Sequence, residues 1–281
     1  MASADSTAAG PPISYVLSLA RIAVYFAWTA ALIPVQAVAH VASPRLTLKI
    51  PLFYHRVCCR IFGLGLEVVG RRARLGPVLY VANHISYLDI SVYGALIEGS
   101  FVAKREVAGW PLFGLLAKLQ RTVFIDRSRG TALAQVDTVR ERLEAGGNVI
   151  LFPEGTSGDG NRVLPFHSSL LGVVEKKGTS ITVQPVTLTY TKLDGMPLGR
   201  GLRPFIAWYG DMGMAGHFVQ LLGLGRITAR VEFHDPVPAD RFASRKELAR
   251  HCFDTVSAAH AAALGGYAKA GRRPGLRRRR R

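Results

Sequence analysis

The chain has 281 residues, 49% hydrophobic and only 20% charged, which is ample for a real core and rich in apolar residues for a purely soluble enzyme. A formal charge of +17 implies an anionic partner: nucleic acid, an acidic membrane or an acidic carrier protein. Cys58 and Cys59 are adjacent and Cys252 stands alone, which excludes a disulfide framework and any CxxC metal pattern and suits reduced thiols facing the cytosol.

Residues 1–12 are small and polar, lack the basic start of a secretory signal, and read as a disordered N-terminus. From Ile22 to Ala39 there is no charge, and a helix of that length spans roughly 27 Å, close to a bilayer's hydrocarbon thickness. Arg21 before it and Pro34 within it set a half-inserted or interfacial helix against a spanning one. Arg45, Lys49, Arg56, Arg60, Arg71, Arg72 and Arg74 follow, so the positive-inside bias leaves the rest of the chain in the cytoplasm if the segment spans. A second amphipathic stretch runs from about Leu46 to Leu64, and residues 13–70 are read as a membrane-associated helical segment. Beyond it, strand-like runs are predicted at Val78–Ala82, Phe101–Ala103, Val123–Ile125, Val149–Phe152, Thr182–Thr189, Phe205–Trp208 and Ile227–Phe233. Helical patterns at Leu88–Ile97, Pro111–Leu119, Thr131–Ala145 and Ser244–Ala263 alternate with several of them. That alternation predicts a single α/β domain over 71–265, with a central, mostly buried β-sheet flanked by helices. Seven of the last ten residues are arginine, and 266–281 reads as a basic disordered tail.

Four constellations carry candidate chemistry. After the strand VLYVA comes Asn83-His84-Ile85-Ser86-Tyr87-Leu88-Asp89, which puts an imidazole at a strand end, where α/β sites usually lie. A helix starting near Ser86 brings Asp89 back beside His84, where a carboxylate fixes the tautomer and stabilises an imidazolium. No well-placed Ser or Cys nucleophile accompanies the pair, which suggests direct attack by a substrate hydroxyl. Phe124-Ile125-Asp126-Arg127 ends a strand with a guanidinium able to clamp an anion. Phe152-Pro153-Glu154-Gly155-Thr156 sets a carboxylate on a tight turn, where it can bond a substrate hydroxyl or pair with an arginine. Val183-Gln184-Pro185-Val186 places a proline in an apolar run, which predicts a bulge or an edge.

In this order the four segments resemble the sequence blocks of the glycerolipid acyltransferases, in particular the bacterial 1-acyl-sn-glycerol-3-phosphate acyltransferases, with lyso-ornithine lipid acyltransferases as close relatives. The resemblance covers about residues 75–190 and includes Phe101-Val102-Ala103-Lys104-Arg105-Glu106. It implies that His84 is the general base and Asp89 its orienting partner. Arg127, Glu154, Gly155 and Thr156 would hold the acceptor headgroup, with Lys104 or backbone amides stabilising the oxyanion. It implies acyl transfer from acyl-CoA or acyl-acyl carrier protein to a lysolipid, first 1-acyl-sn-glycerol-3-phosphate giving phosphatidic acid, with lyso-ornithine lipid or another lysophospholipid as the alternative. No cofactor beyond that co-substrate is implied. Two positions depart from the pattern: Ser157 stands where much of the family has an arginine after EGT, and Arg121 where a glycine often opens the second block.

The expected location is the cytoplasmic face of the inner membrane, peripheral or single-pass, with the charge suited to anionic lipid and an acidic carrier protein rather than nucleic acid. A basic nucleic-acid-binding protein is the alternative from another class, although no zinc spacing or helix-turn-helix supports it. His55, His167, His217, His234, His251 and His260 show no metal spacing, so no metal is expected. Trp28, Trp110 and Trp208 read as core or membrane-interface residues.

Overall fold

The computed structural model describes residues 10–73, 76–126, 132–174 and 181–266. The N-terminal tail expected over 1–12 is therefore described only from Gly10. There Pro11 is buried, and the Ser14 N–H donates to Gly223 O at 3.0 Å. Most of the arginine tail lies outside the described residues.

Two helices open the fold, α1 (Tyr15–Ala42) and α2 (Pro44–Ile61). Ser43 closes the first and N-caps the second, with its side chain accepting from Leu46 N. The burial of α1 is inverted relative to a soluble helix: Ser18, Thr29 and Gln36 are buried, while Val16, Leu19, Val24, Phe26, Val38 and Val41 are exposed. Its inner face is tied down along its length. Ser18 Oγ donates to Val219 O, Arg21 to Leu222 O and Leu224 O, and Gln36 Nε2 to Thr47 O and Leu119 O. The helix is long and apolar enough to cross a membrane.

The sheet begins earlier than the sequence boundary at residue 71. Gly63 takes a left-handed φ of 74°, which ends the helical run, and strand β1 (Leu64–Gly70) follows inside the stretch read as membrane-associated helix. Next come β2 (Val78–Ala82), α3 (Leu88–Leu96), β3 (Ser100–Lys104), α4 (Phe113–Leu119), β4 (Val123–Ile125), α5 (Ala132–Glu144) and β5 (Val149–Leu151). The second half holds β6 (Thr182–Leu193), β7 (Met196–Pro197), α6 (Met214–Leu222), β8 (Ile227–Phe233), β9 (Val237–Pro238) and α7 (Arg245–Leu264).

The order across the sheet is β1-β8-β6-β2-β5-β3-β4, with β7 and β9 also on β6. Strands β6, β2, β5, β3 and β4 are parallel, and β8 runs antiparallel to β6. Side chains alternate between two cores, as a sheet covered on both faces requires. Val78, Tyr80 and Ala82 face one core with Val92 and Leu221, while Leu79 and Val81 face the other with Leu143 and Leu248. Helices α2, α3 and α6 thus cover one face and α5 and α7 the opposite one. The expected α/β domain is present.

Two local expectations fail for physical reasons. Phe205–Trp208 is no strand: a 3₁₀ turn covers Arg203–Phe205, and Ile206 and Ala207 are apolar because they plug the core. Pro185 is neither a bulge nor an edge but lies within a central strand. Its missing N–H is tolerated at the seam where β6 exchanges one neighbour, β9 at Thr182–Val183, for another, β8 from Val186.

Candidate active site

Parallel strands β2, β3 and β5 aim their C-terminal ends at one region, delivering His84, Lys104 and the Phe152–Ser157 loop there, the usual position for a site in such a sheet. Asn83 fixes the end of β2. Its side chain donates to Leu188 O and accepts from Leu188 N, mimicking a strand partner on β6. His84 is then clamped by its own backbone: its N–H donates to Glu154 Oε1 at 2.6 Å and its carbonyl accepts from Gly158 N at 3.0 Å.

His84 Nδ1 lies 2.8 Å from Asp89 Oδ2. The carboxylate is fully buried in the first turn of α3 and receives three further donors: Ile85 N (2.6 Å), Ser86 N (3.0 Å) and Tyr190 Oη (2.7 Å). A carboxylate at Nδ1 makes that nitrogen the donor and leaves a lone pair on Nε2. The imidazole stacks on Phe152, with centroids 4.4 Å apart and an interplanar angle of 13°, which fixes the ring plane. Its side chain is 20% exposed, and the bond to Asp89 engages Nδ1, leaving Nε2 on the far side of the ring. The arrangement is that of a general base with a free nitrogen and a charge-compensated back.

His84 lies on the wall of a cavity of about 360 Å³. One end holds His84, Tyr87, Lys104, Gly155, Thr156, Ser157 and Trp208. The rest runs between the inner faces of α1 and α2 and the apolar side of α4, past Leu32, Ile33, Ile50, Phe113 and Leu116. The lining is mostly apolar, with a few polar groups beside the imidazole. Cys58, Cys59 and Cys252 are all buried, which pushes each thiol upward, and none lines this cavity.

Of the residues singled out in the sequence, His84 and Asp89 meet, and Lys104, Gly155 and Thr156 line the cavity beside them. Arg127 lies outside the described residues. Glu154 is placed differently from expectation. It is only 3% exposed, and its oxygens take His84 N and Leu164 N, so it braces the imidazole's backbone instead of facing a substrate. Burial pushes its carboxyl up to about 8 against the two N–H donors that favour the ionised form. Gly155 permits this turn with a φ of 72°. Tyr190, Tyr87 and Trp208 were not singled out as site residues. The one signal for Tyr190 was a phenol at the end of a buried strand, which needs a hydrogen-bond partner.

A family model described as Acyltransferase matches residues 65–189. The chain is 42% identical to a lyso-ornithine lipid O-acyltransferase of Brucella abortus (strain 2308), over 78% of this chain and 84% of that one. It is 41% identical to a protein of the same name from Rhizobium meliloti (strain 1021), over 78% and 77%. It is 35% identical to a 1-acyl-sn-glycerol-3-phosphate acyltransferase of Neisseria meningitidis, over 60% and 64%. In fold it resembles the crystal structure of a 1-acyl-sn-glycerophosphate acyltransferase from Thermotoga maritima, with a TM-score of 0.63 at 21% identity over 92% of this chain and 97% of that one.

Proposed function

The chain belongs to the acyltransferase family, and from that premise we propose that it transfers a fatty acyl group from a thioester to the free hydroxyl of a lysolipid at the membrane surface. The supporting observation is the 2.8 Å His84–Asp89 pair on the wall of a long apolar cavity. The acyl chain lies between α1, α2 and α4, with its carbonyl at His84. The acceptor hydroxyl donates its proton to His84 Nε2 as its oxygen attacks the thioester carbon. Asp89 stabilises the resulting imidazolium while Thr156 and backbone amides face the developing oxyanion. The tetrahedral intermediate collapses, the carbon–sulfur bond breaks, and the thiolate takes the proton from His84. Atoms balance without an acyl-enzyme or a cofactor. Glu154 is a positioning residue, acting through the backbone of His84.

For the acceptor we favour a lyso-ornithine lipid, the reverse of the order drawn from the sequence alone. The relatives so named match more of this chain than the phosphate-acceptor relative, and Ser157 replaces the arginine expected to grip phosphate. Lysophosphatidic acid is the second reading, favoured by the Neisseria relative and by Arg127 as a phosphate ligand. The donor is acyl-CoA or acyl-acyl carrier protein, both acidic partners for a basic chain. Helices α1 and α2 form the membrane-associated segment ahead of the acyltransferase domain. Because α1 is bonded to α2, α4 and α6 along its length, we assign monotopic attachment to the cytoplasmic face of the inner membrane, with the outer face of α1 in the lipid. Family membership displaces the nucleic-acid reading.

The test is to give purified protein in micelles both lysolipids with labelled acyl-CoA and acyl-acyl carrier protein. Labelled ornithine lipid, lost in His84→Ala with a folded protein, is expected. Full activity in that variant removes His84 as the base, and phosphatidic acid as the main product overturns the acceptor assignment.

A further inference from the structure

Trp208 is fixed beside the imidazole by its backbone. Its N–H donates to Ile85 O at 3.0 Å, its carbonyl accepts the Ser157 hydroxyl, and its indole N–H donates to Met212 O at 2.8 Å. Two more rings complete the surround. Trp110 stands 6.4 Å away at 89°, and Tyr87 stands 6.0 Å away at 57°. Tyr87 is held in turn by a 2.9 Å hydrogen bond to His217 Nδ1. All three rings line the cavity that contains His84, and Trp110 is 37% exposed. Three rings packed edge-to-face and tilted against one another thus put aromatic surface on one wall of the cavity, to which an ammonium is attracted.

The charges of the lining fit the same ligand. The loop following Glu154 contributes only neutral residues to the cavity, Gly155, Thr156 and Ser157, and Ser157 is occupied in holding Trp208. Lys104 is the one cation among the described lining residues. Among the described residues the lining therefore offers one ammonium and three aromatic rings. It suits a headgroup that carries its own amine cation together with one carboxylate.

We propose that Trp110, Trp208 and Tyr87 receive the ammonium of the acceptor headgroup, with Lys104 facing its carboxylate, so that the enzyme selects amine-bearing lysolipids over those bearing phosphate alone. This rests on the lyso-ornithine acceptor above and reassigns two tryptophans that the sequence placed in a core or at the membrane interface. The interfacial role predicts something different, because losing a membrane anchor weakens the use of every lipid acceptor equally.

The experiment compares lyso-ornithine lipid with the same molecule N-acetylated on its side-chain amine, using the full chain and its Trp110→Leu, Trp208→Leu and Trp110→Phe variants. Vesicle binding of each protein is measured alongside. Expected is an acceptor KM about tenfold higher for the acetylated lipid in the wild type, with kcat little changed. That difference collapses in either leucine variant and is largely restored by phenylalanine. Trp110 is partly exposed, so its variant serves if Trp208→Leu fails to fold. Equal KM for the two acceptors, or a leucine variant that loses both acceptors in step with vesicle binding, overturns the aromatic ammonium site while leaving acylation of lyso-ornithine lipid standing. Preference for lysophosphatidic acid sinks the acceptor reading and the ammonium site together.

Discussion

Tyr190→Phe tests how the proposed catalytic pair, His84 and Asp89, is held. The Tyr190 hydroxyl donates to Asp89 Oδ1 at 2.7 Å, whereas the donors from His84, Ile85 and Ser86 all converge on Oδ2. Removing one oxygen atom therefore leaves Oδ1 without a donor among the described residues, in a carboxylate that no water reaches. A hydrogen bond to a charged group contributes about 1.5–3 kcal/mol, and phenylalanine fills the ring's space, so no cavity term is added. Part of that loss falls on folding. The part felt when His84 becomes an imidazolium falls on the transition state, and about 1.4 kcal/mol there slows kcat about tenfold. Tyr190 does not line the cavity, so KM for the thioester stays near wild type. Labelled acyl transfer gives kcat and KM, and denaturant unfolding in detergent gives the stability. A destabilised variant with wild-type kcat would refute the coupling of Tyr190 to the base through Asp89.

His55 supplies a pH prediction. Burial lowers its pKa from 6.5 to about 4, so the unfolded chain takes up the proton first as pH falls. Stability present above pH 6.5 is then lost toward pH 4 by up to about 3 kcal/mol, and His55→Gln flattens the decline; an unchanged pH profile of unfolding contradicts this. Gly94→Ala puts a methyl group into the His55 imidazole and costs about 1–3 kcal/mol, read as a lower Tm; an unshifted Tm refutes the close packing. Val38→Glu and Val41→Glu on the outer face of α1, 67% and 93% exposed, leave Tm unchanged but weaken vesicle binding about tenfold or more each. Undiminished sedimentation with vesicles removes that face from the membrane.

What the sequence revealed was local in the chain. His84 and Asp89 are five residues apart, so one turn of α3 brings them together, and the spacing alone suggested the pair. The strands at Val78–Ala82 and Val123–Ile125 read correctly because both are short, apolar and bounded by polar turns. Tyr190 lies 101 residues from Asp89, and only the pairing of β6 with β2 brings it there. Trp208 reaches Ile85 through a loop whose apolar run imitated a strand. Glu154 was found in sequence but its role was misread, because a carboxylate on a turn looks solvated until Leu164 and His84 are seen closing over it.

The bonded inner face of α1 has a practical outcome. Tyr25, Thr29, Leu32, Ile33 and Gln36 form a wall of the cavity that contains His84, and the same helix turns its valines outward. Trimming the N-terminus to obtain a detergent-free enzyme would therefore open the chamber as well as remove the foothold. Under the proposed function, attachment and turnover fall on opposite sides of one rod, and neither can be engineered away without touching the other.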